Sequence, residues 1–566
     1  MSDLIFKRNL LALSAGNPGL GEVLIRTEAD GRLRAGMSKS GLPVPLIEEG
    51  GREIALHSLF DPLREAEKLT EALPPSGYLV ALGLGAGYGI KAYLNSPATT
   101  GILIVEYSAG LFRALLEQFD LSEIFLDGRV SVLLDPSAEE LEAALFSLYV
   151  PPLAGDLRSL PLRARVDLDP KPFAEAAGIL RVVLERISDD YSVQAFFGRL
   201  WFRNAVRNLR IAERPSSPLP PARRAVVTAA GPSLEEELPE AKKAQREGAF
   251  LIATDTTLPA LLDSGLKPDA VISIDCQTIS YYHFLKGLPP DIPLVIDLAS
   301  PNRLARLSDS VRFFSSGHPF CAYVSTHFRR FPALDTSGGN VTHAALSLAE
   351  ALGAESCLVA GADFSYPEGK SYARGTYIYD YFAKCSSRLL PEESLFAGFV
   401  WKNPSVTAEA DRDSGGRPYI RYITKPLMSY REHFERFAAS CQMEIRPLRG
   451  KGVAIKVPER GRSGQGAARV RSIFAAGPAA ESAESFLHRY AAALAALPPP
   501  RDPAAVYLKS LTLEERDLWT TLLPTASAFQ RAANLGAAAS ERSPDGPARL
   551  LSEVREWALA EIRDSI

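Results

Sequence analysis

Residues 225–234 read Ala-Val-Val-Thr-Ala-Ala-Gly-Pro-Ser-Leu, and a Glu-rich stretch follows them. The apolar run Ala225–Ala229 has strand length, and Gly231-Pro232-Ser233 is a turn that opens a helix. A strand feeding a helix through such a turn is the unit of a parallel α/β sheet. Similar runs recur downstream at Phe250–Ala253, Ala270–Ile274, Leu294–Ile296, Arg312–Phe314 and Cys357–Ala360, with helical stretches between several of them. Upstream, Tyr78–Gly83, Ile102–Glu106 and Val130–Leu134 read the same way. The expected fold class is α/β, in more than one domain.

Working outward, residues 1–60 alternate short apolar runs with turns. Val23–Thr27, the turn Ala29-Asp30-Gly31 and the run from Leu33 predict a small hairpin-rich piece. Residues 172–212 have helical spacing. Arg214–Pro221 (RPSSPLPP) and Arg460–Gly466 (RGRSGQG) read as linkers. The last hundred residues are rich in Ala, Leu, Glu and Arg and read as a helical bundle. The expected division is 1–170, a hairpin piece plus an α/β domain; 171–221, a helical connector and linker; 222–459, a central α/β domain; and 467–566, a helical domain.

A chain of 566 residues is too long for one core. At 46% hydrophobic and 23% charged it is globular rather than disordered. Lys+Arg of 63 against Asp+Glu of 67 leaves a net charge of −4, which argues against a sequence-blind nucleic-acid binder. No apolar run reaches about 18 residues, so no membrane span is expected. The start, MSDLIFKRNLLALSAG, is too weak for a secretory signal. Cys276, Cys321, Cys357, Cys385 and Cys441 are scattered with no CxxC, which points to reduced thiols and a cytoplasmic location. The 7 histidines form no HxxxH or HExxH, so no dedicated metal cage is expected.

Two glycine-rich regions carry functional signals. Gly83-Leu84-Gly85-Ala86-Gly87-Tyr88-Gly89 follows a strand run, and Glu106 ends the next one. This is the layout of a dinucleotide or S-adenosylmethionine site, with the acid on the ribose; it is equally the layout of a plain α/β turn.

The central region is richer. Gly231-Pro232-Ser233 predicts an anion site at a helix N-terminus, or an ordinary cap. Asp255 and Asp275 end two strand runs, where carboxylates hold sugar hydroxyls or magnesium, or cap the next helix. Thr336-Ser337-Gly338-Gly339-Asn340 combines hydroxyls with Gly-Gly at a helix start, and His343 lies in that helix's first turn. Gly361-Ala362-Asp363-Phe364 follows another strand, with Tyr366 and Tyr372 beyond it. Phenol hydroxyls donate to phosphate without adding charge.

The order GPSL, Asp255, LKPDAVISID ending at Asp275, TSGGNV and LVAGADFSY resembles the motility accessory factor (Maf) glycosyltransferases. These share a domain with the MptE-like hydroxymethylpterin diphosphokinases, and that domain is similar to bacterial sialyltransferases that use CMP-sialic acid. The resemblance covers about 225–440. The chain's length and layout also look like that family, which implies a Rossmann-like N-terminal domain, a sialyltransferase-like central domain and a helical tail.

It implies a donor site of Gly231, Pro232, Ser233, Asp255, Asp275, Thr336, Ser337, Gly338, Gly339, Asn340, Asp363, Tyr366 and Tyr372. The Thr336 turn would take the sugar carboxylate, and the two tyrosines the CMP phosphate. One residue departs from the pattern. Tyr422, in Tyr419-Ile420-Arg421-Tyr422, stands where the sialyltransferases have a histidine base. The candidate catalytic residues are therefore Asp275, His318 and Tyr422, with Asp297 also at a strand end.

The implied activity is transfer of a pseudaminic, legionaminic or sialic-acid-like nonulosonic acid from a CMP donor to flagellin Ser or Thr. No tightly bound cofactor is expected, and the need for a divalent metal is open. The alternatives are an MptE-like diphosphokinase, which would hold magnesium at Asp255 and Asp275, and a non-enzymatic flagellin-binding factor.

Overall fold

The computed structural model describes residues 2–413, 415–458, 473–474, 479–536 and 546–566. Two compact units are present: Met1–Gly198 with Leu494–Ala558, and Arg199–Ala493 with Leu559–Ile566.

The first unit opens with helices Ser2–Gly16 and Pro18–Arg26, so the strand expected at Val23–Thr27 is instead helical. Asn17 caps the second helix by accepting from Leu20 N at 3.1 Å, and Pro18 occupies its first turn. Leu20 and Leu24 then face the core while Val23 and Ile25 face out. The cap outweighs the strand preference of Val and Ile. Strands β1 (Leu33–Met37), β2 (Pro43–Glu49) and β3 (Arg52–Ala55) form an antiparallel meander.

Strands β4 (Gly77–Leu82), β5 (Thr99–Glu106), β6 (Val130–Leu134) and β7 (Leu157–Pro161) form a parallel sheet ordered β6-β5-β4-β7. β4 is buried along its whole length, as a central parallel strand should be. The helix Pro170–Ala212 crosses Leu513–Gly536 so closely at Gly198 that a Cβ there would lie 1.9 Å from Pro524 O.

The second unit adds β8 (Arg224–Thr228), β9 (Phe250–Thr254), β10 (Ala270–Ser273), β11 (Leu294–Asp297), β12 (Val311–Phe314), β13 (Ser356–Ala360), β14 (Tyr366–Pro367), β15 (Thr407–Arg412), β16 (Pro418–Ile423) and β17 (Glu444–Pro447). Seven of them pair in parallel, in the order β12-β11-β10-β9-β8-β13-β17. From β8 the chain steps outward to β12, then returns to place β13 and β17 on the other side of β8. The order reverses between β8 and β13, and open α/β sheets bind ligands at such a crevice. A separate small antiparallel sheet has the order β14-β16-β15.

The stretch 214–221, expected as a linker, is packed: Leu219 is buried, its N–H donates to Ile473 O at 3.2 Å, and Ser216 Oγ donates to Phe474 O at 2.6 Å. The described C-terminal residues form helices Ala483–Ala496, Ala504–Ser510, Leu513–Gly536 and Gly546–Arg563. In the second unit Tyr490 packs on Phe320, and in the first the Trp519 indole donates to Tyr507. The stretch Arg460–Gly466 lies outside the described residues. Among the described residues no helix is long and apolar enough to cross a membrane.

Candidate functional site

At the reversal of strand order, the Gly231 turn closes on the end of β13. Gly231 N donates to Gly361 O at 2.9 Å, and Ser233 N donates to Asp363 Oδ2 at 2.8 Å. Lys451 N donates to Ser233 Oγ at 3.0 Å. Only glycine fits at 231, because a Cβ would lie 2.4 Å from Asp363 Oδ2. The Ser233 amide, read as part of an anion site or an ordinary cap, is taken by Asp363. A helix N-terminus attracts an anion, and here the chain supplies its own in Asp363.

Asp363 is 4% exposed; burial raises its carboxyl against the Ser233 hydrogen bonds. Its neighbour Glu237 accepts from Gly361 N at 2.7 Å. Burial, helped by the Asp363 charge and opposed by that N–H, pushes Glu237 up to about 7. A cleft of about 1230 Å³ adjoins this corner, lined by Asp363, Lys451, Tyr419 and Arg421 among others.

The next two strand ends carry the acids expected there. Asp255 is buried; Oδ1 accepts from Thr256 N at 2.7 Å, and Oδ2 accepts from Ser273 Oγ at 2.6 Å. Asp275 Oδ1 accepts from Gln277 N at 2.8 Å. Burial raises the Asp275 carboxyl against that N–H; the Asp255 charge adds to the rise and His283 opposes it.

Four tyrosines lie within electrostatic reach of these acids or of one another. Burial raises the Tyr372 phenol, and Tyr377, Tyr366, Asp255 and Tyr430 add to it. Tyr377 is raised by burial and then by Asp255, with Asp275 contributing less. His283 meets the Tyr377 ring edge-on at 4.6 Å, and its buried Nδ1 has no hydrogen-bond partner among the described residues. Charge interactions thus link Asp275 to Asp255, Asp255 to Tyr372, and Tyr372 to Tyr366. Sequence reading missed His283, Tyr377 and Tyr430, although His283 follows Asp275 by only eight residues and Tyr377 follows Tyr372 by five.

The Thr336 turn reaches this group through Gly339, where a Cβ would lie 3.1 Å from the Tyr430 ring. Two of its amides are engaged: Ser337 N donates to Asp335 Oδ1 at 2.8 Å, and Gly339 N to Thr336 O at 3.0 Å. Asn340 caps the following helix by accepting from His343 N at 3.1 Å. His343 Nε2 lies 3.0 Å from Asp335 Oδ2. Burial works to raise Asp335, but its hydrogen bonds to His343 and Ser337 hold it below the usual carboxylate range.

The remaining catalytic candidates have different surroundings. His318 stacks on Trp201 at 3.9 Å, and Trp201 hydrogen-bonds Cys276. Asp297 is buried and accepts from Ala299 N at 2.7 Å. Tyr422 lies opposite Tyr366 in the β14–β16 pair, its ring 5.2 Å from Trp401. Among the described residues no three His, Cys, Asp or Glu side chains are grouped to hold a metal ion.

In the first unit, the Gly83–Gly89 turn packs against protein. Glu106, expected on a ribose, is 1% exposed and pairs with the equally buried Arg165 at 2.7 Å. Its other oxygen accepts from Leu84 N at 2.9 Å, and His57 Nε2 accepts from Ala86 N at 2.9 Å. A Cβ on Gly83 would lie 2.8 Å from Arg165 Cγ. Glu106 and the Leu84 and Ala86 amides are thus engaged within the fold.

A family model described as 6-hydroxymethylpterin diphosphokinase MptE-like matches residues 201–369. An uncharacterized protein of Treponema pallidum (strain Nichols) is 33% identical over 157 residues, 27% of this chain and 54% of its own length. The chain thus spans about half the length of that relative. A second protein from the same organism is 34% identical over 167 residues, 29% of this chain and 79% of its own length. A MAf glycosyltransferase from Magnetospirillum magneticum AMB-1 superposes on 100% of this chain and 96% of its own, with a TM-score of 0.57 and 15% identity. The chain belongs to the family of the second treponemal protein, carries an MptE-like domain, and has the fold of the MAf glycosyltransferase from end to end.

Proposed function

We propose that the second unit is a glycosyltransferase, working in the cytoplasm, that moves a nonulosonic acid from a CMP donor to Ser or Thr hydroxyls of flagellin. The convergence of Asp255, Asp275, Tyr366 and Tyr372 beyond β9 and β10 carries this reading. The likeness to the MAf glycosyltransferase supports the reaction class.

In the reaction the acceptor oxygen bonds to the anomeric carbon, the bond from that carbon to the phosphate oxygen breaks, and CMP leaves. Burial keeps the Tyr366 and Tyr372 phenols protonated, so they donate to the departing phosphate. The Thr336 and Ser337 hydroxyls receive the sugar carboxylate. Asp275, with His283 beside it, takes the acceptor proton. Tyr422, opposite Tyr366, supports it across the strand pair. No tightly bound cofactor enters these steps.

The test is incubation of the full chain with a CMP-nonulosonate and flagellin, read by CMP release and by the mass of flagellin. Release of CMP with a matching gain in mass is expected; neither change, together with no binding of CMP, overturns the proposal.

The family match favours a second reading, transfer of pyrophosphate from ATP to a pterin alcohol. Its Mg²⁺ would need oxygens from Asp255 and Asp275. Both Asp255 oxygens already accept hydrogen bonds from Thr256 and Ser273, which fits such a site poorly. AMP formation dependent on Mg²⁺ and a pterin would favour it over the transferase.

A further inference from the structure

The first unit holds a cavity of about 590 Å³ beside the Gly83–Gly89 turn, a size typical of small-molecule sites. It lies at the carboxyl ends of β4 and β7, where the strand order of the first sheet reverses. Its wall is mostly aliphatic, with Ala66 and Leu69 from helix Pro62–Ala72, Ile90 from the helix after the turn, and Leu160 and Leu162 from the end of β7.

The polar groups are unevenly committed. Glu65 Oε2 accepts from Ser58 N at 3.0 Å and lies 3.4 Å from His57 Nδ1. The Leu84 and Ala86 amides of the turn are bonded to Glu106 and His57. Lys68 and Arg163 also line the cavity, are exposed, and make no ion pair with a described residue. Beside them in sequence, Leu59, Phe60 and Leu63 are 51%, 63% and 52% exposed.

We propose that this cavity binds an amphiphilic anion, its apolar body against the aliphatic wall and its carboxylate or phosphate head at Lys68 and Arg163. A wall of this kind penalises a polar ligand body, because buried polar groups without partners are costly. Two of the turn's amides, at Leu84 and Ala86, are already committed to Glu106 and His57. Two unpaired cations at an apolar cavity match one anionic head on an apolar chain. Acyl carboxylates and alkyl phosphates share this chemistry.

The test uses the full chain with decanoate, decyl phosphate, decanol and acetate, each below micelle formation, read by calorimetry. Saturable binding of at least one of the two anions is expected, and the tighter one identifies the head group. Decanol should bind about tenfold more weakly or worse, and acetate not at all. Ala66→Phe, which fills the cavity, should weaken binding about tenfold. Ala72→Trp, at an exposed lining position, gives the same readout if the first variant fails to fold. Lys68→Ala with Arg163→Ala should weaken the anions and leave decanol unchanged. Failure of both anions to saturate, decanol binding as tightly as decanoate, or binding untouched by either filling variant overturns the proposal. None of these outcomes depends on the transferase activity.

Discussion

The backbone N–H of Ser233 donates to Asp363 Oδ2 at 2.8 Å, across 130 residues of sequence. The carboxylate thus closes the helix N-terminus on which the nucleotide was expected. Asp363→Ala should leave that buried N–H without a partner and cost about 1–3 kcal/mol of stability, measured by urea unfolding. Asp363→Asn retains an acceptor oxygen and should cost less. Equal stability of Asp363→Ala and wild type would contradict the assignment.

Glu237, next to this bond, titrates at about 7 in the fold against an ordinary value of 4.5. A raised carboxyl means that the folded state holds a proton the unfolded chain has lost. Its contribution to stability is therefore full below about pH 4.5 and is lost as pH rises through 7. One such group gives a slope of at most about 1.4 kcal/mol per pH unit in that window. Glu237→Gln should flatten the dependence of the urea midpoint on pH between those values. An unchanged slope would remove Glu237 as its source.

Tyr366→Phe and Tyr372→Phe should each lower turnover with a CMP donor about ten- to a hundredfold, the worth of one hydrogen bond to a developing charge. Thermal stability should barely change. Turnover equal to wild type in the double variant would remove the phenols from the reaction.

Asp275→Asn and His283→Ala should both depress turnover. In the wild type, activity should fall as pH drops through the Asp275 value, which lies above the usual carboxylate range. The acidic limb of the profile should vanish in Asp275→Asn. A limb that stays in place would assign the proton to another group.

In the first unit, Arg165→Ala should cost about 3–5 kcal/mol, because it strands the buried Glu106 charge. Neither NAD nor S-adenosylmethionine should raise the melting temperature of the wild type. A saturable rise with either would reopen the Gly83–Gly89 turn as a nucleotide site.

Much of the fold is written locally. The runs at 225–229, 250–253 and 270–274 are strands because a parallel strand buried on both faces is a continuous apolar run. Two further local signals are legible in the sequence. Asn17-Pro18 is a helix start, and Asp335 two residues before Ser337 is an Asx turn that uses the Ser337 amide. β7, with Arg158 and Ser159 at its centre, carried no comparable apolar signal.

Spacing along the chain decided the strands, the glycine turns and the acids at the strand ends, because each depends on neighbours a few residues away. It could not say which turns were already filled. That depended on Asp363 reaching Ser233, Arg165 reaching Glu106, and Tyr430 reaching Gly339. Each contact joins residues far apart in sequence, and the balance of burial, charge and hydrogen bonding at those points exists only once the sheets have assembled.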